Sequence, residues 1–414
     1  MATVMHDTAA AAVRMNYSSV DVSHGITPAT PTSPSPSMRV MFVPIDPNRT
    51  LTSQHGGRFN CILHKLTEDI LTLSKSAQDS SSPQAVLEAQ RRVGGLEDYA
   101  RLHKYCKLID PPRNVSRLMN RGIIAATLSS SLPHVLCDEH TRVRTPSYVI
   151  VSLRPAEGML GGIEEEIGEK GMEYPLIVKN LDAAGTVESH QMLIAMDATA
   201  LRAITGPCLI QAYENHDGRL FKVYVLGSTV RVFARPSLPN LPAGGTGSFG
   251  RSFVKFDSQQ PYPSLEEFGI TTASAVSEDD RSDEGSDDGG MVNMVGNIWD
   301  NHESAGCATQ PAAHAHEASS LGSECGSEDS FEVKGFGMLT IKDVAPIAKN
   351  LSETFGLDLF GFDLLVSGGG GEKDLVVVDV NYFPGYKELQ EQFPTMLAEY
   401  LIKHAVMAAS EEYK

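Results

Sequence analysis

Apolar positions along the chain recur with two periods, set apart by polar stretches rich in Ser, Pro and Gly. Short continuous or alternating runs of Val, Ile, Leu and Phe mark strands. The first is Arg-Val-Met-Phe-Val-Pro, beginning near Met38. Others are Ser147–Leu153, Tyr174–Lys179, Cys208–Tyr213, Leu220–Leu226, Ser228–Ala234 and Arg251–Phe256, so the middle of the chain predicts antiparallel sheet. Leu63, Leu66, Ile70 and Leu73 recur at helical spacing and predict a helix from about Phe59 to Leu73. Val86 to Leu118 alternates helical pattern with a short strand, Cys106–Ile109. Asp110-Pro-Pro then breaks the chain and starts a helix that includes Asn120 and Arg121. Near the C-terminus the pattern gives a helix at Ile341–Phe355. Two apolar strands follow, Leu359–Ser367 and Asp374–Asn381, joined by the glycines 368–371. A closing helix spans Glu388–Ala408.

Two stretches carry neither period. Residues 1–37 end in a Ser/Thr/Pro run that reads as a disordered tail. From about Ser264 to Glu332 the chain is rich in Ser, Gly, Asp and Glu and poor in aromatics. It cannot bury enough surface to offset the entropy of ordering and reads as an acidic disordered insertion over 261–334. Its apolar island, 292–299, reads as a weak local cluster, with a short docking segment as the alternative. The remainder divides into an N-terminal α/β domain (38–144), a central subdomain (145–260) and a C-terminal subdomain (335–410).

Charge sharpens this division. Between Tyr262 and Phe331 fifteen acids face one base, Arg281, a local net of −14; −18 for the whole chain less this −14 leaves −4 elsewhere. Bulk charge therefore excludes nucleic acid and anionic membranes as partners but leaves room for a basic pocket. Six scattered cysteines without a C-x-x-C pair fit a reducing compartment. No apolar run approaches the ~20 residues that span a bilayer. The N-terminus lacks a secretory pattern; residues 1–37 have few acids and many Ala, Ser and Thr, as a transit peptide does, but the single Arg14 speaks against one. The expectation is a monomeric cytoplasmic protein, with the nucleus as a second compartment and the acidic insertion as a candidate docking element for a protein partner.

Asp363 sits inside an apolar strand, where a carboxylate costs several kcal/mol unless something pairs with it. Asp379 and Asn381 are two apart on the next strand and leave the same face. Paired across the glycine loop, the two strands can bring Asp363 within roughly 5–8 Å of Asp379 and Asn381. Two carboxylates and an amide oxygen suit Mg²⁺, which takes few protein ligands and leaves the rest to phosphate and water. The alternative is a bulge cap at Asp363 and a turn before Pro384; the three residues together favour the metal.

Cations lie on other strands: Lys179 before a small-residue turn, Lys222 within Leu220–Leu226, and Arg235 at a strand end. A Gly-containing loop after Lys179 can fold over phosphates with its backbone N–H groups. Lys222 alone reads more simply as a snorkelling edge residue, so the case rests on several cations in one sheet. Gly245, Gly247 and Gly250 form a G-x-G-x-x-G string, but it leads into a strand, whereas a dinucleotide fingerprint opens a helix. No P-loop lysine, catalytic triad or zinc spacing is present. Ser277, Ser282 and Ser286 precede acids and are candidate sites for acidophilic kinases.

These segments together resemble the inositol 1,3,4-trisphosphate 5/6-kinase family, also called inositol-tetrakisphosphate 1-kinases, over about 105–257 and 335–405. The matching residues are Leu108-Ile-Asp-Pro-Pro with Asn120-Arg121, Tyr174-Pro-Leu-Ile-Val-Lys, Gly185 with Ser189-His190, and Gln211 through Gly227. They continue in Arg235-Pro-Ser-Leu-Pro-Asn, Leu359-Phe-Gly-Phe-Asp and Val378-Asp-Val-Asn-Tyr-Phe-Pro-Gly-Tyr. The resemblance implies an α/β ATP-grasp fold, whose two subdomains sandwich ATP. It implies ATP-dependent phosphorylation of a ring hydroxyl of an inositol tris- or tetrakisphosphate, with Mg²⁺ as cofactor. Arg121 and Lys179 would bind ATP phosphates, Gln211 and Tyr213 the adenine, and Arg235 and Ser237 would sit near the nucleotide. His190, Lys222, Asn381 and Gly385 would face the acceptor, with Lys222 and Lys179 the catalytic cations. Asp363, Asp379 and Asn381 would hold the metal. Ala184 stands where the family usually has His or Asp, and the family's N-terminal lysine pair is not evident; Arg49, Arg58 and Lys65 are candidates to replace it. An ATP-grasp carboxylate–amine ligase and a non-catalytic inositol-phosphate scaffold are the competing readings.

Overall fold

The computed structural model describes residues 10–17, 38–75, 82–137, 140–152, 160–184, 187–244, 251–270, 293–297, 330–333, 337–369 and 372–412. The N-terminal unit holds β1 (Ala10–Tyr17), β2 (Met38–Pro44), β3 (Cys61–His64) and β4 (Lys107–Ile109), with α1 (Thr67–Lys75) and α2 (Pro83–Leu102) between β3 and β4. The strand order is β2-β1-β3-β4. Two expectations change here. Cys61–His64 is a strand, not the start of a helix, because its residues are all buried. Such a short continuous apolar run matches either period. Ala10–Tyr17, within the expected tail, is a strand paired with both β2 and β3; its alternating Val13, Met15 and Tyr17 carry the pattern that neighbouring Ser, Thr and Pro obscure.

Pro112–Val115 forms the short α3, and α4 (Arg121–Ser131) follows. Asn120 is the N-cap of α4 rather than part of it: its side-chain oxygen accepts from the N–H groups of Gly122 and Ile123 at 2.8 and 3.2 Å. Next come β5 (Thr141–Arg144), β6 (Tyr148–Val151), α5 (Leu160–Glu169), β7 (Leu176–Asn180), β8 (Gln191–Ala195), β9 (Cys208–Ala212), β10 (Arg219–Leu226), β11 (Thr229–Pro236) and β12 (Phe253–Asp257). The five-stranded sheet β12-β8-β7-β9-β6 is antiparallel throughout, as the middle of the chain predicts. One face packs on Ile167 of α5 together with Leu201 and Ile204. The opposite face carries Ile194, Val254 and Phe256, and against them lie Leu265, Phe268 and Ile270.

That packing corrects the insertion boundary. Residues 261–270 pack on the five-stranded sheet through Tyr262, Leu265, Ile270 and the fully buried Phe268. At the other end β14 (Ser330–Val333) pairs with β15 (Gly337–Thr340), and Phe331 is buried. Within the apolar island, β13 (Asn293–Asn297) pairs with β11 at the edge of the second large sheet. The three candidate phosphorylation serines and Gly245, Gly247 and Gly250 lie outside the described residues; β12 does follow the glycine string.

The second large sheet has the order β13-β11-β10-β16-β17-β5, with β16 (Leu359–Gly369) and β17 (Glu372–Tyr382). Alternation along β10 separates its two faces. Phe221, Val223 and Val225 pack with Ile347, Leu351 and Phe355 of α6 (Ile341–Phe355) and with Ile124 and Leu128 of α4. Tyr224 and Leu226 pack on Leu397, Tyr400 and Leu401 of α7 (Phe393–Glu412). The closing helix starts at Phe393, later than expected, because Lys387–Leu389 forms a separate 3-10 turn.

A buried polar bracket fixes the N-terminal unit to this sheet. The Asp110 carboxylate accepts from the N–H groups of Asp358 and Leu359, both at 2.9 Å, and the Tyr382 hydroxyl donates to the His64 carbonyl at 2.8 Å. The His64 Nε2–H donates to the Asp110 carbonyl at 2.6 Å, and Nδ1 faces the Leu66 N–H at 3.4 Å. Both ring nitrogens thus suit a neutral imidazole. Burial, opposed by the hydrogen bond to Asp110, lowers the His64 pKa from 6.5 to about 4. The folded state binds this proton less well than the unfolded chain, so the contribution is complete above pH 6.5 and shrinks as pH falls toward 4, by about 3 kcal/mol in all. His64→Gln should flatten this acid limb: measured by urea unfolding at pH 7 and pH 4.5, the variant should lose less stability than the wild type. Equal losses in the two proteins refute the assignment.

Candidate functional site

The two large sheets meet where β7 of one approaches β17 of the other. Asp363 on β16 pairs directly with Asp379 on β17 and with Lys222 on β10, and Gly361 pairs with Asn381. The register of β16 and β17 shifts between Asp363 and Leu364, leaving Val378 opposite no residue. Such a bulge re-aims the residues beside it. Here it frees the Val378 carbonyl, which accepts from Lys179 Nζ at 3.1 Å. Lys179, at the end of β7, is 5% exposed. The strand-borne lysine of the five-stranded sheet therefore ends beside the two aspartates of the six-stranded one.

Electrostatics follow from this crowding. Burial lowers the Lys179 pKa to about 8; Asp379 and Asp363 pull it back up, and Arg121 pushes it further down. Lys222 Nζ lies 3.4 Å from Asp363 Oδ1, and Arg121 Nε lies 3.8 Å from Asp379 Oδ2. Three cations face two carboxylates, an arrangement that welcomes a polyanion. Asp363 Oδ1 is buried without a hydrogen bond among the described residues. That oxygen, met by Lys222 alone among these cations, its partner Asp379 and the Asn381 amide two residues on are hard donors that fit Mg²⁺. No group of three His, Cys, Asp or Glu side chains is gathered among the described residues. A metal shared with phosphate oxygens needs no such cage.

Other expected residues have partners of their own. The terminal nitrogens of Arg121 donate to the carbonyls of Asn180, Asp182 and Ser189 at 2.8, 2.8 and 3.0 Å. Rather than pointing freely at a phosphate, its guanidinium braces the chain after Lys179. Arg235 is paired with the buried Glu388, which also accepts from the Tyr224 hydroxyl. Ser237 Oγ lies 2.8 Å from His216 Nε2, and the Tyr213 hydroxyl donates to the Pro239 carbonyl at 2.6 Å. Gln211 pairs with Ile177, so its side chain shares the Lys179 face of the five-stranded sheet. Its buried Oε1 accepts no hydrogen bond among the described residues. His190 is partly buried, with Nε2 3.1 Å from Gln259. At Gly385 an added Cβ would find, among the described residues, only Lys387 Cγ within 4 Å, at 3.8 Å. Gly185 lies outside the described residues.

Lys65 was less legible. It follows β3, and its Nζ stands 5.0 Å from the centroid of the Phe383 ring, within the Asp-x-Asn-x-Phe segment. Burial lowers its pKa. Misreading β3 as a helix hid this reach. Lys65 thus reaches that segment, and it lines the neighbouring cleft together with Arg49 and Arg92.

The family model for the inositol 1,3,4-trisphosphate 5/6-kinase ATP-grasp domain matches residues 137–261 and 316–403, and that for the pre-ATP-grasp domain matches 33–115. The chain is 26% identical over 359 residues to the inositol-tetrakisphosphate 1-kinase of Danio rerio, covering 87% of this chain and 70% of that protein. It is 27% identical over 351 residues to inositol-tetrakisphosphate 1-kinase 4 of Glycine max, covering 84% and 76%. Among solved structures, the D-alanine–D-alanine ligase of Bacillus anthracis aligns at a TM-score of 0.38 and 11% identity, over 89% of this chain and 88% of that one.

Proposed function

The chain belongs to the inositol 1,3,4-trisphosphate 5/6-kinase family and has its ATP-grasp fold; from that premise we propose that it transfers the γ-phosphoryl group of ATP to a ring hydroxyl of an inositol tris- or tetrakisphosphate. The observation that carries this reading is the buried Lys179 of one sheet set against the paired Asp363 and Asp379 of the other. ATP lies between the sheets, its phosphates at Lys179 and its adenine along Gln211 and Tyr213. Asp363, Asp379 and Asn381 would hold Mg²⁺, which when bound neutralises charge on the phosphates. Lys222 steadies the reacting end, and Lys65 with Asn381 and Gly385 faces the acceptor's phosphates. Arg121 acts by bracing the 180–189 segment; Arg235 and Ser237 line the nucleotide side, and His190 lies toward the acceptor. A loose phosphoryl-transfer transition state asks for positioning and neutralisation more than for a base. The N-terminal unit to about residue 144 supplies acceptor contacts, and the two later subdomains enclose the nucleotide.

No helix among the described residues is long and apolar enough to cross a membrane. Cys61, Cys106 and Cys208, all buried, are reduced thiols, which suits a protein working in the cytoplasm. The test is purified protein with labelled ATP and Mg²⁺ against a panel of inositol tris- and tetrakisphosphates. Label should appear in a phosphate ester of the ring. Turnover that requires a carboxylic acid and an amine, or ATP binding with no turnover on any member of the panel, overturns the proposal.

A further inference from the structure

Two chain crossings beside Gln211 and Tyr213 join the large sheets. Residues 145–147 carry the chain from β5, in the six-stranded sheet, to β6, in the five-stranded one. Residues 213–218 carry it back from β9 to β10. The two crossings run together: the Ala212 N–H donates to the Ser147 carbonyl at 2.9 Å, and Tyr148 pairs with Gln211. Any change in the angle between the sheets must bend these segments.

One guanidinium ties them. Arg144, the last residue of β5, meets Glu214 in a fork: Nη1 to Oε1 at 2.6 Å and Nη2 to Oε2 at 2.8 Å. Its Nε donates to Asp374 Oδ2 at 2.7 Å, and Nη2 lies 3.4 Å from Ser367 Oγ. Asp374, on β17, is 3% exposed and is held from its other side by Arg142, with bonds of 2.9 and 2.7 Å. Burial alone would raise the Asp374 pKa, but the hydrogen bonds from Arg142 and Arg144 outweigh it and hold the carboxyl below its ordinary value. A planar fork of this kind fixes direction as well as distance. Glu214 is three residues from Gln211, so the tie closes at the edge of the adenine-facing segment, outside the Asp363/Asp379 centre.

We propose that Arg144 is a positioning residue, a latch between the two crossings that holds the sheets at the angle that admits ATP. The inference rests on the reading that ATP binds between the sheets. The contacts of the Arg144 guanidinium are Glu214, Asp374 and Ser367, away from Lys179 and from Asp363, Asp379 and Asn381. It acts on the fraction of molecules already set to receive nucleotide, and apparent affinity falls in proportion to that fraction. Loss of the latch therefore raises KM for ATP and leaves the phosphoryl step alone.

The experiment compares wild type, Arg144→Met, Glu214→Gln and the double variant, with ATP and the inositol phosphate varied separately. Arg144→Met should raise KM for ATP by about tenfold, with kcat within about twofold and KM for the acceptor unchanged. Glu214→Gln should give a smaller rise in the same constant. The double variant should be no worse than Arg144→Met, because both substitutions break one tie. Binding of a fluorescent ATP analogue, measured without acceptor, separates the two levels of the argument. If the wild type does not bind it, the nucleotide reading fails. If the wild type binds and Arg144→Met binds equally well, the latch fails. A fall in melting temperature and in kcat with no change in KM for ATP also overturns it, since that is the mark of a general structural role.

Discussion

Asp363→Ala should cut turnover by about two to three orders of magnitude while leaving the fold in place. Asp363 lies mid-strand, paired on one side with Lys222 and on the other with Asp379. Its Oδ1 is buried without a hydrogen bond among the described residues and meets Lys222 Nζ at 3.4 Å, a tie outside the backbone ladder. The backbone pairing of β16 does not need the side chain, and the neighbouring Phe362 and Leu364 keep their buried positions. The loss should therefore fall on the transition state. Steady-state assays over a range of Mg²⁺ concentrations check it: kcat should drop, and added metal should not restore it. Circular dichroism and the melting temperature should stay close to wild type. Asp379→Ala should act in the same direction but unsettle the bulge as well, because Asp379 Oδ1 accepts from the Val380 N–H at 2.9 Å. Wild-type kinase activity in Asp363→Ala would remove the metal assignment altogether.

The two aspartates were legible because their placement breaks a rule. An acid within an apolar strand and an acid–amide pair two residues apart point to a shared face whatever the details of the fold. Lys179 was legible for the same reason, as a charge at the end of an apolar run. The bulge at Val378 was not, since one unpaired residue changes no periodicity, and yet it is what offers a carbonyl to Lys179. Arg121 was visible as a residue but not in its bonding: three carbonyl partners come from residues 180, 182 and 189, distant in sequence. Thr141–Arg144 was not marked because Thr-Arg-Val-Arg holds a single apolar residue; the partners of its two arginines, Asp374 and Glu214, lie 70 or more residues away. The insertion edges failed on composition. Averaging over an acidic stretch hid Phe268 and Phe331, each of which anchors a short segment to a core. Local pattern finds elements and misplaced charges; it does not find the long-range partners that decide what each charge does.

Lys179→Met should lower kcat/KM for ATP by about two to three orders of magnitude, with most of the loss in nucleotide binding. The lysine is almost wholly buried, donates to a carbonyl of the opposite sheet, and stands among Asp379, Asp363 and Arg121. Burial sets its pKa at about 8 in the free protein. The charged form therefore prevails at neutral pH and is lost as pH rises through 8. A polyphosphate needs that charge, so KM for ATP should climb by about tenfold per pH unit on the alkaline side. An exposed lysine, titrating near 10.4, would leave this range flat. Measuring KM for ATP from pH 6.5 to 9.5 in wild type and Lys179→Met tests the point. The wild type should show the alkaline rise, and the variant should show a high KM that no longer follows pH in this range. A wild-type KM that stays level to pH 9.5 would overturn the expected alkaline titration of a buried Lys179 against the phosphates.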